Sequence, residues 1–338
     1  MSRVPLDIQH ALVASASRAP SAHNTQPARW RFHGDGDIEL LEDTRRRLTL
    51  ADPEGRDQRL GLGMAYEGMC IATTAVGRTL AAPRLAPCVE PPPRASGQPR
   101  SIARTRLAAS CRADPLLNCV YQRATWRGRF LAAPEDRVHQ LTASLESRPN
   151  MHLLTDVDDI DTFARLQDHC TRELLAREGF TEELWRWLRL TKRHPDWSRD
   201  GINADALGLN AAERGIAGAL MRPAVFHRMQ RAGLDGHLLA QSSIARSASL
   251  MVVVTAPISE SLFDSGRRIY RLWLELEKQG WRACPMSALL DHPFGSAALR
   301  RRLAFALDRE PVAVMRVGLA CGTPTRSPRL PIEELVLR

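Results

Sequence analysis

The segment from Asp52 to Gly77 constrains this chain more than any other stretch. Asp52 suits a helix N-cap, Pro53 is tolerated at the first helical position, and Gly77 suits the residue just past a helix end. Between them Gly61, Ala65, Gly68 and Ala72 recur at spacings of 4, 3 and 4, which lines four small residues along one face. A face with little side chain lets another helix approach closely, because ridges can enter shallow grooves. The spacing predicts a buried central helix and a packing seam. Gly61-x-Gly63 is not a dinucleotide fingerprint, since that motif must lie between a strand and a helix. A second helix is expected over Ser265 to Gln279, stopped by Gly280, and the similar order of elements suggests an internal duplication.

Length agrees with two halves. A chain of 338 residues is long for one compact core, and 44% hydrophobic residues can bury a substantial interior. An apolar-patterned run through Leu6, Ile8, Leu12 and Val13 predicts an N-terminal helix that stops at Pro20. Residues 30–42 read as a hairpin: Trp30, Phe32, Ile38 and Leu40 share a face by alternation, and Gly34-Asp35-Gly36-Asp37 supplies the turn. The prolines of 81–101 mark a linker or extended crossover, and the basic stretch 103–130 returns to order. A helix is expected over Asp156 to Phe180, and the aromatic stretch with Trp185, Trp187 and Trp197 follows it. Helices over 203–233 would form an insertion without internal strands. Leu250 to Thr255 and Val312 to Leu319 read as buried strands.

The formal charge is +9, and lysine occurs only at Lys192 and Lys278, so the basic side is arginine. These arginines are scattered and little aromatic surface is interleaved with them, which disfavours a nucleic-acid partner. Seven cysteines, with no C-x-x-C pair, indicate neither a disulfide framework nor a zinc site. Reduced thiols in a cytoplasmic protein are expected. Without an apolar run of 18 residues or a signal-peptide core, no membrane partner is expected. Neither a nucleophile set nor metal-ligand spacing is evident: Ser21 and His23 lack a third partner, and His194-Pro195-Asp196 and Asp291-His292 stand alone.

Two segments carry chemistry. Ala19-Pro20-Ser21-Ala22-His23-Asn24-Thr25-Gln26-Pro27 is a polar loop between helix and strand, rich in donors that need partners if buried. It is either a ligand-contact loop or a solvated connection. In Tyr121-Gln122-Arg123-Ala124-Thr125-Trp126-Arg127-Gly128-Arg129-Phe130, an extended backbone would point Arg123, Thr125 and Arg127 to one side. Two guanidinium groups and a hydroxyl there would suit a phosphate dianion, the alternative being an exposed basic stretch.

The first segment resembles the Ala-Pro-Ser-x-x-Asn-x-Gln-Pro-Trp loop of the nitroreductase family of flavin mononucleotide (FMN) proteins. With His23 before Asn24 it is most similar to the Acg-type branch. Ala28 stands where the family's Trp usually follows, with Trp30 two residues on. The second segment resembles the Arg-x-Ser/Thr-x-Arg element that holds the FMN phosphate, and Pro328 to Leu335 looks like the family's Arg-x-Pro-Leu-Glu-Glu ending. Asp52-Pro-x-Gly55-Arg56, the stretch after Gly280, and Val317-Gly318 extend the likeness over nearly the whole chain.

What this resemblance implies is an α+β nitroreductase-like fold, a central, mainly antiparallel sheet surrounded by helices. Two fused halves, 1–115 and 116–338, would form an internal pseudo-dimer, acting as a monomer or a weak homodimer, with a helical lid inserted at about 181–240. FMN would be held by Arg123, Thr125, Arg127 and Arg329 at its phosphate, Arg326 being a second candidate for the tail position. Pro20, Ser21 and Asn24 would face the flavin, and backbone amides near Met286 and Ser287 would meet the ring edge. The implied activity is that of an FMN-dependent oxidoreductase, passing electrons from NAD(P)H to a small flat acceptor such as a nitroaromatic, quinone or enone. The alternative is a protein that holds a covered flavin with little turnover.

Overall fold

The computed structural model describes residues 4–87, 97–236, 242–322 and 324–337. Its architecture is α+β, with mainly antiparallel sheets packed against helices, one large sheet in each half. In the first half the strands run in the order Val336–Leu337, Ala28–Phe32, Asp37–Glu42, Arg100–Ser110, Arg78–Leu80, with Arg84–Leu85 also paired to Arg100–Ser110. The expected hairpin is present. Trp30 lies opposite Leu40 and Phe32 opposite Ile38, so the apolar face found by alternation is the buried one. The extreme C-terminus joins this sheet as its edge, Val336 pairing in parallel with Trp30. The first half's core therefore includes residues from the end of the chain, such as Leu330 and Leu335.

The second sheet runs Arg282–Pro285, Arg309–Ala320, Leu250–Pro257, Met151–Leu154, and Phe130–Leu131 pairs with the end of Arg309–Ala320. Leu250, Val252 and Val254 face one core cluster, whereas Met251 and Val253 face another that contains Ile160 and Phe163. A strand covered by helices on both faces reads as a continuous apolar run rather than an alternating one.

The two halves meet at helices Arg56–Thr74 and Leu262–Lys278. The first begins later than expected, at Arg56, after Gly55 in the left-handed region. Asp52 still acts as its cap, because its carboxylate accepts from the amides of Asp57 (3.2 Å) and Gln58 (2.8 Å). Gly61 lies over Pro20 and Ser21, and Gly68 lies over Ala16. Of the stripe's two glycines, only Gly68 also meets the second half, where a Cβ would lie 3.5 Å from the Tyr270 ring. The closest approach is on the neighbouring face: a Cβ on Gly63 would sit 2.0 Å from the Phe263 carbonyl oxygen, and one on Gly266 would sit 2.1 Å from that of Leu60. Each helix thus offers one glycine to the backbone of the other. Glu67 adds ion pairs across the joint to Arg267 (3.0 Å) and Arg271 (2.7 Å).

Over 180–233 the chain forms helices Phe180–Trp187, Ala211–Leu220 and Pro223–Arg231, and a short parallel ladder between Leu188–Arg189 and Ile202–Asn203 touches the stretch 203–233, expected without strands, only at Asn203. The expected helix over 156–180 is split: Val157–Leu175 ends, and Gly179 in the left-handed region starts the next helix. Pro91, Pro92 and Pro93 of the expected linker lie outside the described residues, but Arg100–Ser110 is a long regular strand.

Because the backbones themselves block a Cβ at the joint, overpacking there should cost about 3 kcal/mol. Gly63→Ala is expected to lower unfolding free energy by that amount in urea titration, whereas Gly34→Ala, which meets open space, should leave it nearly unchanged.

Candidate functional site

The loop after the first helix is held in an unusual backbone conformation. His23, Asn24 and Gln26 all have positive φ (47°, 55° and 51°). For non-glycine residues this costs about 1–2 kcal/mol each, so surrounding bonds must over-determine it. They do. Ser21 Oγ accepts from the Gln26 amide at 2.9 Å. Asn24 Nδ2 donates to the carbonyls of Gly201 (3.2 Å) and Pro328 (3.1 Å), and Gln26 Nε2 donates to that of Arg199 at 2.8 Å. The Leu330 amide donates to Gln26 Oε1 at 2.8 Å. One loop therefore ties together the first half, the inserted region and the C-terminal tail.

Helix Leu117–Gln122 ends at Arg123, and the chain becomes extended: Thr125 forms a bridge with Ala283, and the Trp126 amide donates to the Ala283 carbonyl at 3.0 Å. This geometry aims Arg123, Thr125 and Arg127 at a common cavity of about 60 Å³, as their alternation predicts. Pro20, Ser21, His23 and Asn24 line the same cavity, together with Arg18, Tyr121, Arg326, Ser327 and Arg329. Five arginines and no carboxylate surround it among the described residues. The sequence reading missed Arg18. The signal available was a cation at the end of an apolar helix, immediately before the loop.

Several donors here lack partners. Arg123 is buried, and its Nε and Nη1 have no acceptor, although Nη2 donates to the Arg18 carbonyl at 2.9 Å. Its guanidinium stacks 4.8 Å from the Trp273 ring centroid, beside the buried hydroxyl of Tyr270. Arg18 Nε and His23 Nδ1 are likewise buried without partners. Burial pushes the His23 imidazole down to about 4, with Arg127 adding to the effect and Glu183 opposing it. It is therefore neutral at pH 7. Burial also lowers the pKa of Arg123 and Arg127, and it pushes Arg329 down to about 9, aided by neighbouring Arg123 and Arg18. Unsatisfied buried donors on cations cost several kcal/mol unless an anion meets them. Among the described lining residues, these donors and charges are left without a counter-charge.

The expectation for Met286 needs correction. Its amide donates to the Val314 carbonyl at 2.8 Å, and its side chain is buried in the core. The strand register takes up the group that was expected to face a ligand. Ser287 is exposed.

The inserted region sits directly on this site. Arg127 Nη1 donates to the Ala206 carbonyl at 3.1 Å, and the Gly201 amide donates to the Asn24 carbonyl at 3.3 Å. Glu183 anchors the region to the first half: its carboxylate accepts from the amides of Thr49 (2.6 Å), Leu50 (3.0 Å) and Ala51 (2.8 Å). Asp200 bridges Arg46 (2.9 Å) and Arg189 (2.7 Å), and Arg199 pairs with Glu334 at 2.7 Å. Among the described residues no group of acids, histidines and cysteines could hold a metal ion, and no helix is long and apolar enough to cross a membrane. The described cysteines are free thiols.

Close to Ser287, Asp291 faces Asp57, Arg56 and Asp52 of the first half. Arg56 Nη1 lies 2.8 Å from Asp57 and 3.9 Å from Asp291. Burial, with Asp57 and Asp52 adding to it and Arg56 opposing, pushes the Asp291 carboxyl up to about 8. The native state then keeps a proton that the unfolded chain releases from about pH 4. Its contribution to stability is complete below that pH and is lost as pH rises toward 8. Asp291→Asn is expected to flatten this decline and to raise the melting temperature at pH 8 relative to wild type, as read by thermal unfolding across pH 4–9.

Against known proteins, no family model matches the chain. It is 26% identical over 344 aligned residues to a Mycobacterium tuberculosis protein curated under the name NAD(P)H nitroreductase acg, covering 98% of this chain and 96% of that one. A second NAD(P)H nitroreductase of the same organism is 40% identical over 62 residues, 18% of each chain. Among solved structures, the FMN-dependent nitroreductase NfnB of Mycobacterium smegmatis in complex with NADPH is 17% identical, covering 64% of this chain and 94% of its own, with a TM-score of 0.37. A nitroreductase with bound FMN from Desulfitobacterium hafniense is 13% identical over 67% of this chain and 98% of its own, with a TM-score of 0.38.

Proposed function

We infer that this chain, which belongs to the nitroreductase family in its Acg-type branch, is an FMN-dependent NAD(P)H oxidoreductase whose acceptor is a small flat molecule such as a nitroaromatic, quinone or enone. One observation carries the reading most of the way. The cavity where the two halves meet gathers five arginines without a carboxylate, and two of the three side-chain nitrogens of Arg123 are buried there without an acceptor. A phosphomonoester dianion answers both the charge and the missing acceptors.

When bound, FMN would supply acceptance of a hydride from a nicotinamide and its onward passage as electrons. This chain's own part is to hold and screen. Arg123, Thr125 and Arg127 of the second half would grip the phosphate. Pro20, Ser21 and Asn24 of the first half lie across the same cavity, which is the arrangement expected of fused halves that share one cofactor within a single chain. Neutral His23 adds a hydrogen-bonding group without adding charge. Trp273 and Tyr270 support the underside of Arg123 and keep water from it.

A second reading has a specific observation in its favour. The carbonyls of Arg199, Gly201 and Ala206 already accept from Gln26, Asn24 and Arg127, and Glu183 clamps the same region to the first half. A cover fastened at so many points would exclude nicotinamide and make the protein a flavin holder with little turnover.

The two readings separate under anaerobic stopped-flow. The oxidoreductase reading expects NADH or NADPH to bleach the flavin absorbance in one phase whose rate rises with nicotinamide concentration. A flavin that resists both nicotinamides, yet is reduced by dithionite, would favour the covered-flavin reading. For the phosphate grip, Arg123→Ala or Arg127→Ala each removes charged hydrogen bonds worth roughly 1.5–3 kcal/mol. FMN affinity is therefore expected to fall about 10- to 100-fold in either variant. Unchanged flavin content in both would remove the phosphate from this cavity.

A further inference from the structure

The tail arginine that resemblance assigns to the phosphate is already occupied. All three side-chain nitrogens of Arg329 have acceptors: Nε donates to the Ser17 carbonyl (2.5 Å), and Nη2 to that of Arg18 (3.0 Å). Nη1 donates to Asn24 Oδ1 (2.9 Å) and to the Pro328 carbonyl (2.9 Å). A guanidinium has five N–H donors, and here they go to the end of the first helix, the strained loop and the tail itself. Carbonyls at a helix C-terminus carry partial negative charge, so they hold this buried cation where no carboxylate does. The Arg329 side chain is, in effect, the C-terminal cap of helix Leu6–Ala16.

Arg18 shows the opposite pattern. Its backbone carbonyl receives both Arg123 and Arg329, while its own side chain, stacked 5.7 Å from the Tyr121 centroid, leaves a buried Nε without an acceptor in the same cavity. Arg326 is exposed and lines that cavity too. Five arginines drawn together, with Arg329 saturated by carbonyls, leave a field that only an incoming anion relieves.

We propose that Arg18 is a direct ligand of the anionic group, acting with Arg123, Arg127 and Arg326, and that Arg329 is a positioning residue that builds the site without binding the ligand. The proposal rests on the phosphomonoester reading given above and refines its residues. It also makes the grip two-sided, since Arg18 belongs to the first half and Arg123 to the second. Anion binding then pulls the halves together, and the loop Pro20–Asn24, which follows Arg18 in sequence, is positioned by the same event.

The test uses the apoprotein of the full chain, titrated with FMN by quenching of flavin fluorescence and with inorganic phosphate by thermal shift. Arg18→Gln is expected to weaken FMN binding at least 10-fold and reduce its salt dependence. It should also diminish the phosphate-induced rise in melting temperature, while leaving the melting temperature of the apoprotein unchanged or higher. Arg329→Gln is expected to lower the apoprotein's melting temperature and expose the tail to proteolysis, with the salt dependence of FMN binding kept in the folded fraction. The proposal is overturned if Arg18→Gln binds FMN and phosphate as wild type does. It also fails if Arg329→Gln loses FMN while the apoprotein's stability is unchanged. Should Arg329→Gln not fold, the Arg18→Gln arm decides alone. If wild type itself binds neither FMN nor phosphate, the phosphomonoester reading falls and this refinement with it, whereas wild-type binding with an indifferent Arg18→Gln overturns only the refinement.

Discussion

The close crossing of helices Arg56–Thr74 and Leu262–Lys278 is the constraint on which everything else in this protein depends. Gly63 and Gly266 allow each helix to lie against the other's backbone, and that contact sets the distance between the halves. Only at that distance can the loop of the first half share one cavity with the extended Arg123–Arg127 segment of the second. The Gly61 and Gly68 positions serve a different purpose, seating the first helix and its following loop against the same central helix. One helix thus positions both sides of the site.

The crossing brings like charges together. Among the described residues the cavity has five arginines and no acid, an arrangement that is unfavourable without a counter-charge. The protein bears this through three devices: helix-end carbonyls around Arg329, aromatic faces beneath Arg123 and Arg18, and a loop forced into left-handed backbone by its hydrogen bonds. The inserted region uses the same groups. Its carbonyls accept from Asn24, Gln26 and Arg127, so closure over the site and construction of the site involve the same residues.

How much of this could be read from the sequence depended on the range of the interaction. Period-two alternation located the hairpin and its buried face, since Trp30, Phe32, Ile38 and Leu40 need only their nearest strand neighbour to declare a side. The apolar cores Leu250 to Thr255 and Val312 to Leu319 were legible from composition alone, and the strands extend beyond them to 250–257 and 309–320. The Arg123-x-Thr125-x-Arg127 spacing indicated a shared direction, and the extended backbone there keeps it. The small-residue stripe announced a close helix packing, but the tightest approach between the halves lies beside it at Gly63, because spacing reveals that a groove exists without revealing which partner fills it.

By itself, then, the sequence determined many of the local pieces: the hairpin and its apolar face, the two long apolar strands, the central helix short of its exact start, and the short segments that carry polar chemistry. Tertiary structure alone decided the assignment of duties among similar residues. Arg18, Arg123, Arg326 and Arg329 are chemically identical side chains, and nothing local distinguishes a guanidinium saturated by carbonyls from one left with empty donors. The same holds for the Met286 amide, which strand register commits to Val314. Hydrogen-bond partners many residues distant in sequence settle these roles, and no pattern within a window of the chain encodes where those partners will come to rest.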